Sequence, residues 1–98
     1  MAAAPPDPQI FPLGDRALVV EFGTIVDASI NARARAFAEH LLTLRVPCVN
    51  DVVPGYACVT VHFDPMAACE AFRTTEPLEA LRAALSTALQ KAPLASKR

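Results

Sequence analysis

Few side chains in this sequence could move a proton, hold a metal or attack an electrophile, and they are scattered. His40 and His62 are the only imidazoles, and Cys48, Cys58 and Cys69 the only thiols. An imidazole titrates close to neutral pH and is the usual general base. His62 sits in the run Cys58-Val-Thr-Val-His-Phe63, two residues from Thr60. No acid or nucleophile lies beside it in sequence to complete a dyad, so a contact role is preferred to a catalytic one. His40 lies next to an apolar stripe at helical spacing and reads as a surface or edge position. The cysteines form no Cys-x-x-Cys and their number is odd, so neither a zinc site nor a disulfide framework is expected. They read as small reduced hydrophobes. Ser29 reads as a helper at a helix start, and Ser86 as a solvated mid-helix hydroxyl. Three glycines in the whole chain cannot build a phosphate-cradling loop. No catalytic residue, metal ligand or cofactor site is therefore assigned.

Two turns remain. In Gly14-Asp15-Arg16 the ordinary reading is turn chemistry, with Gly supplying a positive φ and Asp bonding its own backbone. The functional alternative uses Arg16 as a clamp for a carboxylate or other anion. In Val53-Pro-Gly-Tyr56, Pro54 and Gly55 have the composition of a type II turn, widened here because a tight type II turn splays a hairpin. Tyr56 is the only tyrosine. On a rigid turn it offers contact area at little entropic cost, or it folds down over the end of the core; both readings stand. The candidate contact residues are thus Asp15, Arg16, Pro54, Gly55, Tyr56, Thr60 and His62.

The elements that must position them follow from periodicity. Gln9–Leu13 is a short strand whose Pro12 belongs at a sheet edge. Ala17–Phe22 is a stronger strand, with Leu18, Val20 and Phe22 on one face and Ala17, Val19 and Glu21 on the other. Asp27 is a natural N-cap for a helix over about residues 28–45, striped by Ile30, Ala34, Phe37, Leu41 and Leu44 and ended by Pro47. Asn31, Arg33, Arg35, Glu39 and Thr43 read as its solvated side. Val49–Val53 and Cys58–Phe63 are two further strands, the latter with Val59, Val61 and Phe63 inward. Asp64-Pro65 starts a short helical turn through Phe72, and Pro77 opens a last helix striped by Leu78, Leu81 and Leu85.

The expected fold is α+β. It is a two-layer ββαββα unit with a four-stranded antiparallel sheet, order 1-2-4-3, and two helices on one face. Residues 1–8 read as a loose arm, 9–91 as one domain, and 92–98 as a frayed tail or the start of a linker. The free sheet face carries Ala17, Val19, Glu21, Cys58, Thr60 and His62.

The totals agree. A chain of 98 residues, 53% hydrophobic and 19% charged, is one globular domain, and burying roughly 60–65% of its unfolded surface is within reach at this size. A net charge of −1 without a basic stripe argues against nucleic acid. No apolar run approaches a membrane span, and the N-terminus has no secretory pattern, so a cytoplasmic location is expected.

The stretch FPLGDRALVVEFG (Phe11–Gly23), then Ile30-Asn31, then VVPGY (Val52–Tyr56), resembles a known family over about residues 9–90. It is similar to the N-terminal domain of a family with three kinds of member. These are one subunit of the bacterial 5-oxoprolinase, the sporulation kinase inhibitor KipI, and the first subunit or segment of allophanate hydrolase and urea amidolyase. The resemblance implies a ββαββα unit that continues, in full members, into a cyclophilin-like β domain pairing with a sister subunit. That second domain is not within these 98 residues. It also implies two roles. One is as part of an ATP-dependent assembly opening 5-oxo-L-proline to L-glutamate, with ATP bound elsewhere in the assembly. The other is as a regulator that binds a histidine kinase and blocks autophosphorylation. The expected partners are the second domain of the parent chain, sister hydrolase subunits or a histidine kinase. The two motif turns are expected where the domain borders another domain or subunit.

Overall fold

A computed structural model describes residues 8–24 and 27–91. The elements run β1 (Gln9–Pro12), β2 (Ala17–Glu21), α1 (Ala28–Leu44), β3 (Val49–Pro54), β4 (Cys58–Phe63), α2 (Pro65–Phe72) and α3 (Pro77–Lys91). The strands form one sheet of order β1-β2-β4-β3, every neighbouring pair antiparallel. The expected order is therefore the observed one. The second and fourth strands take the centre, each bonded to a strand on either side, and their apolar content suits that position. The arm and tail expected at the chain ends fall, except for Pro8, outside the described residues.

One set of alternating residues enters the core: Leu18 and Val20 from β2, Val52 from β3, and Val59, Val61 and Phe63 from β4. Against it lie Ile30, Ala34, Phe37, Ala38 and Leu41 of α1 and Leu81, Leu85 and Ala88 of α3. Phe22 and Phe37 meet edge to face, centroids 5.7 Å apart and rings at 63°. Cys48 is buried in the same core, and desolvation pushes its thiol pKa up, so it stays a neutral hydrophobe.

The helical count exceeds the expectation. The turn after Asp64 is an eight-residue helix, α2, giving three helices in place of two. Asp64 accepts from the amides of Met66 and Ala67, with Pro65 at the first helical position. Only Ala68 of α2 is buried, so its sequence carries no stripe to announce it.

Both boundary signals of the first helix hold. The Asp27 carboxylate accepts from the amides of Ser29 (2.8 Å) and Ile30 (3.4 Å), and the Ser29 hydroxyl adds a bond at 2.5 Å. Helix α1 stops at Leu44, where Arg45 takes the left-handed conformation (φ 51°) two residues before Pro47. Arg73 ends α2 the same way, at φ 54°.

The Ser29 hydroxyl first, and then the amides of Ser29 and Ile30, hold the Asp27 carboxyl below its usual pKa. A depressed folded pKa means stability that is present above the unfolded value and lost as pH falls through the folded one. Asp27→Asn retains an acceptor but cannot titrate. Its thermal midpoint should fall less than that of the parent chain between neutral pH and pH below the ordinary carboxylate range, in parallel calorimetric scans. Equal acid sensitivity of the two chains would contradict the assignment.

Candidate functional site

The sheet face away from the helices is uncovered among the described residues. Antiparallel register arranges it in rows across the strands. Phe11, Val19, Thr60 and Val53 form one row. Gln9, Glu21 and Cys58 form a second. Leu13, whose amide donates to Ala17 at 2.9 Å, continues into Ala17, His62 and Asp51 as the third. The exposed apolar members of the face lie at its edges, beside the exposed Gln9 and Asp51: Phe11 is 41% exposed, Leu13 56% and Val53 44%. Ala17 is buried yet stands outside the core cluster beneath the helices. Thr60 and Cys58 are half-buried and His62 is exposed.

Thr60 and His62 therefore share this face, as the alternation of β4 requires. The sheet also places Asp51 opposite His62, a neighbour no reading of local sequence could supply. No hydrogen bond joins the pair, and the Asp51 carboxylate accepts instead from the Val52 amide at 2.9 Å.

The two turns are not brought together. Gly14-Asp15-Arg16 lies where β4 ends, because the Arg16 carbonyl accepts from the Phe63 amide at 2.9 Å. Pro54-Gly55-Tyr56 lies where β4 begins. The length of β4, roughly 17–20 Å for a strand of this size, separates them. Asp15 and Arg16 are exposed, and Gly14 at φ 71° makes the turn, a conformation that costs a residue with a Cβ.

The second turn differs from its sequence reading. A type II turn needs a positive φ at Gly55, and of the three glycines only Gly14 has one. Pro54 instead ends β3 opposite Val59, and the Gly55 amide donates to the Cys58 carbonyl at 2.7 Å. The connection is the wider one that strand twist favours.

Three motif segments converge at this end. The Asn31 side-chain amide donates to the Tyr56 carbonyl at 2.8 Å. The Phe22 amide donates to the Ala57 carbonyl at 2.8 Å. A Cβ on Gly23 would lie 2.6 Å from Ile30 Cδ1, so the bare backbone there is what admits Ile30. The start of α1, the end of β2 and the β3–β4 turn thus close one corner. Asn31 was expected on the solvated side of α1; its partner is 25 residues away and invisible to helical periodicity. Arg33 also leaves that side, stacking over Phe22 at 5.3 Å, while Arg35 and Glu39 are exposed as expected. Tyr56 itself is held by its backbone, and the residue is 49% exposed and outside the core.

No group of three or more His, Cys, Asp or Glu among the described residues could hold a metal ion. Each glycine serves the backbone, Gly14 in a turn, Gly23 against Ile30 and Gly55 in the hairpin. None is left for a Gly-rich phosphate loop among the described residues. No described helix is long and apolar enough to cross a membrane.

Residues 8–98 match the family model described as carboxyltransferase domain, subdomain C and D. The chain belongs to this family. A comparison with curated proteins finds no match. Among solved structures, the N-terminal domain of the histidine kinase inhibitor KipI from Bacillus subtilis superposes with a TM-score of 0.76 at 21% identity, covering 92% of this chain and 91% of that one. The K. lactis urea amidolyase contains a similar unit, with a TM-score of 0.77 at 18% identity, covering 95% of this chain and 5% of the amidolyase. A conserved uncharacterized protein from Pyrococcus horikoshii gives 0.73 at 24% identity, over 85% of this chain and 35% of its own. At these identities the likeness establishes the fold. The chain spans about a third of the archaeal protein and a small part of the amidolyase.

The corner gives a paired prediction. Asn31→Ala should cost on the order of 1 kcal/mol in urea denaturation, the scale of a lost hydrogen bond. Tyr56→Ala should cost less, because the residue is half in water and the bond to Asn31 uses its backbone. A Tyr56→Ala loss exceeding that of Asn31→Ala would show that the ring works as core.

Proposed function

We propose that this chain is a non-catalytic N-terminal domain within a subunit of an ATP-dependent 5-oxoprolinase or allophanate hydrolase-like assembly. It contributes structure and subunit contacts there, and the ATP is bound by other parts of the assembly. The observation that carries the proposal is the open sheet face, with exposed apolar residues at both of its edges. Family membership and the recurrence of the fold as a small part of the K. lactis urea amidolyase support it. On this reading Thr60, His62 and the Tyr56 ring meet the parent chain's second domain or a sister subunit. Asp15 and Arg16 meet whatever abuts the opposite end of the sheet.

A second reading is favoured by one finding: the match to the KipI N-terminal domain is nearly end to end in both chains. There the domain is a regulatory module that binds a histidine kinase and slows its autophosphorylation.

The test is affinity capture with the 98-residue chain from lysate of its own source, read by mass spectrometry, beside assays of ATP-dependent 5-oxoproline opening. The hydrolase reading expects sister hydrolase subunits in the capture, no turnover by the chain alone, and a loss of roughly 1–3 kcal/mol in binding on Tyr56→Ala, the scale of an interface anchor. Recovery of a histidine kinase, with autophosphorylation slowed by the chain, would move it to signalling. Turnover by the isolated chain would overturn both readings.

A further inference from the structure

A four-stranded sheet has two edges, and an exposed edge is a template for strand addition by another chain. Hydrogen-bond parity fixes which backbone groups face outward. Leu13 bonds Ala17, so residues 9, 11 and 13 of the first hairpin face β2, and Ile10 and Pro12 face out. Gly55 bonds Cys58, so residues 51, 53 and 55 face β4, and Val52 and Pro54 face out. Each edge thus has a proline at an outward position, where the missing N–H would have been offered to a newcomer. At each edge a side chain also occupies a backbone group of the other outward residue. An Arg82 guanidinium nitrogen donates to the Ile10 carbonyl, and Glu79 lies 3.9 Å from Nε of the same guanidinium. On the far edge, Asp51 Oδ1 accepts from the Val52 amide at 2.9 Å. The register of that strand is further broken between Val49 and Asp51.

We infer that Arg82 and Asp51 are edge guards: with Pro12 and Pro54 they close both sides of the sheet against pairing with a second copy of this chain. The two devices are chemically complementary. A cation takes an outward acceptor on β1, and an anion takes an outward donor on β3. An incoming strand needs donors and acceptors in alternation. On β1 it meets no free acceptor at Ile10 and no donor at Pro12. On β3 it meets no free donor at either Val52 or Pro54.

The experiment compares Arg82→Met, which keeps the apolar stem, Asp51→Ala, and the two combined, with Arg35→Met as a control for loss of an exposed charge elsewhere. Sedimentation velocity at roughly 0.1–1 mM, the range where unpaired edges associate, reads self-pairing. Amide exchange reads the Val52 N–H directly. The combined variant should show a weight-average mass rising toward about twofold, the dimer value, with the control unchanged. Val52 should exchange faster in Asp51→Ala and keep its protection in Asp51→Asn, whose amide oxygen still accepts. If the combined variant does not fold, the single variants carry the same comparison. Variants that sediment like the Arg35→Met control, or a Val52 amide indifferent to Asp51→Ala, would overturn the inference.

Discussion

Strand β4 bonds to a strand on each side, and the rest of the domain depends on that. Its residues alternate in two senses at once. Val59, Val61 and Phe63 send their side chains into the helical layer and their backbone groups to β2. Thr60 and His62 send their side chains to the open face and their backbone groups to β3. A one-residue slip would exchange the two faces completely, expelling three of the most deeply buried side chains in the chain. Register is therefore set by the core. Once it is set, it dictates the rows of the open face and the outward groups of both edges.

Much of this was legible because period-two and period-3.6 patterns report burial directly. Strands β2 and β4, helix α1 with its Asp27 cap, and the sheet order all follow from which residues must leave water. The edge position of β1 followed from Pro12 alone. What escaped the sequence was of two kinds. Helix α2 buries one alanine, so it leaves no stripe; its bounds at Pro65 and Phe72 were legible, but it read as a helical turn and not as a third helix. The second kind is contact between polar side chains and distant backbone. Asn31 and Arg82 look like solvent-facing helical residues. Their partners, the carbonyls of Tyr56 and Ile10, are supplied only by tertiary packing. Asp51 likewise reads as an ordinary strand-edge charge until parity shows which amide it covers.

The Pro-Gly-Tyr turn illustrates how tertiary anchors override local composition. Pro followed by Gly favours a type II turn in isolation. Here Phe22 and Asn31 each bind a carbonyl of the turn, fixing Tyr56 and Ala57 from outside the hairpin. Gly55 then has no need of a positive φ. Its lack of a side chain serves proximity instead, since a Cβ would come within 3.1 Å of Cys58 Sγ. The segments that carry the family resemblance are mostly the stones of this corner. Together they lock α1 onto the sheet, and the domain needs that lock whatever it binds.

The open face has the opposite character. A face meant only for water would carry polar chains throughout its edges, where exposure is greatest; this one sets Phe11, Leu13 and Val53 there among Gln9 and Asp51, and keeps Thr60, His62 and Glu21 toward the centre. Edge pairing is specified by backbone and is nearly blind to sequence, so an open edge invites every extended chain. Face pairing is specified by side chains. A domain whose edges are closed and whose face is free can change partners by substituting a few outward positions, with core, corner and register untouched.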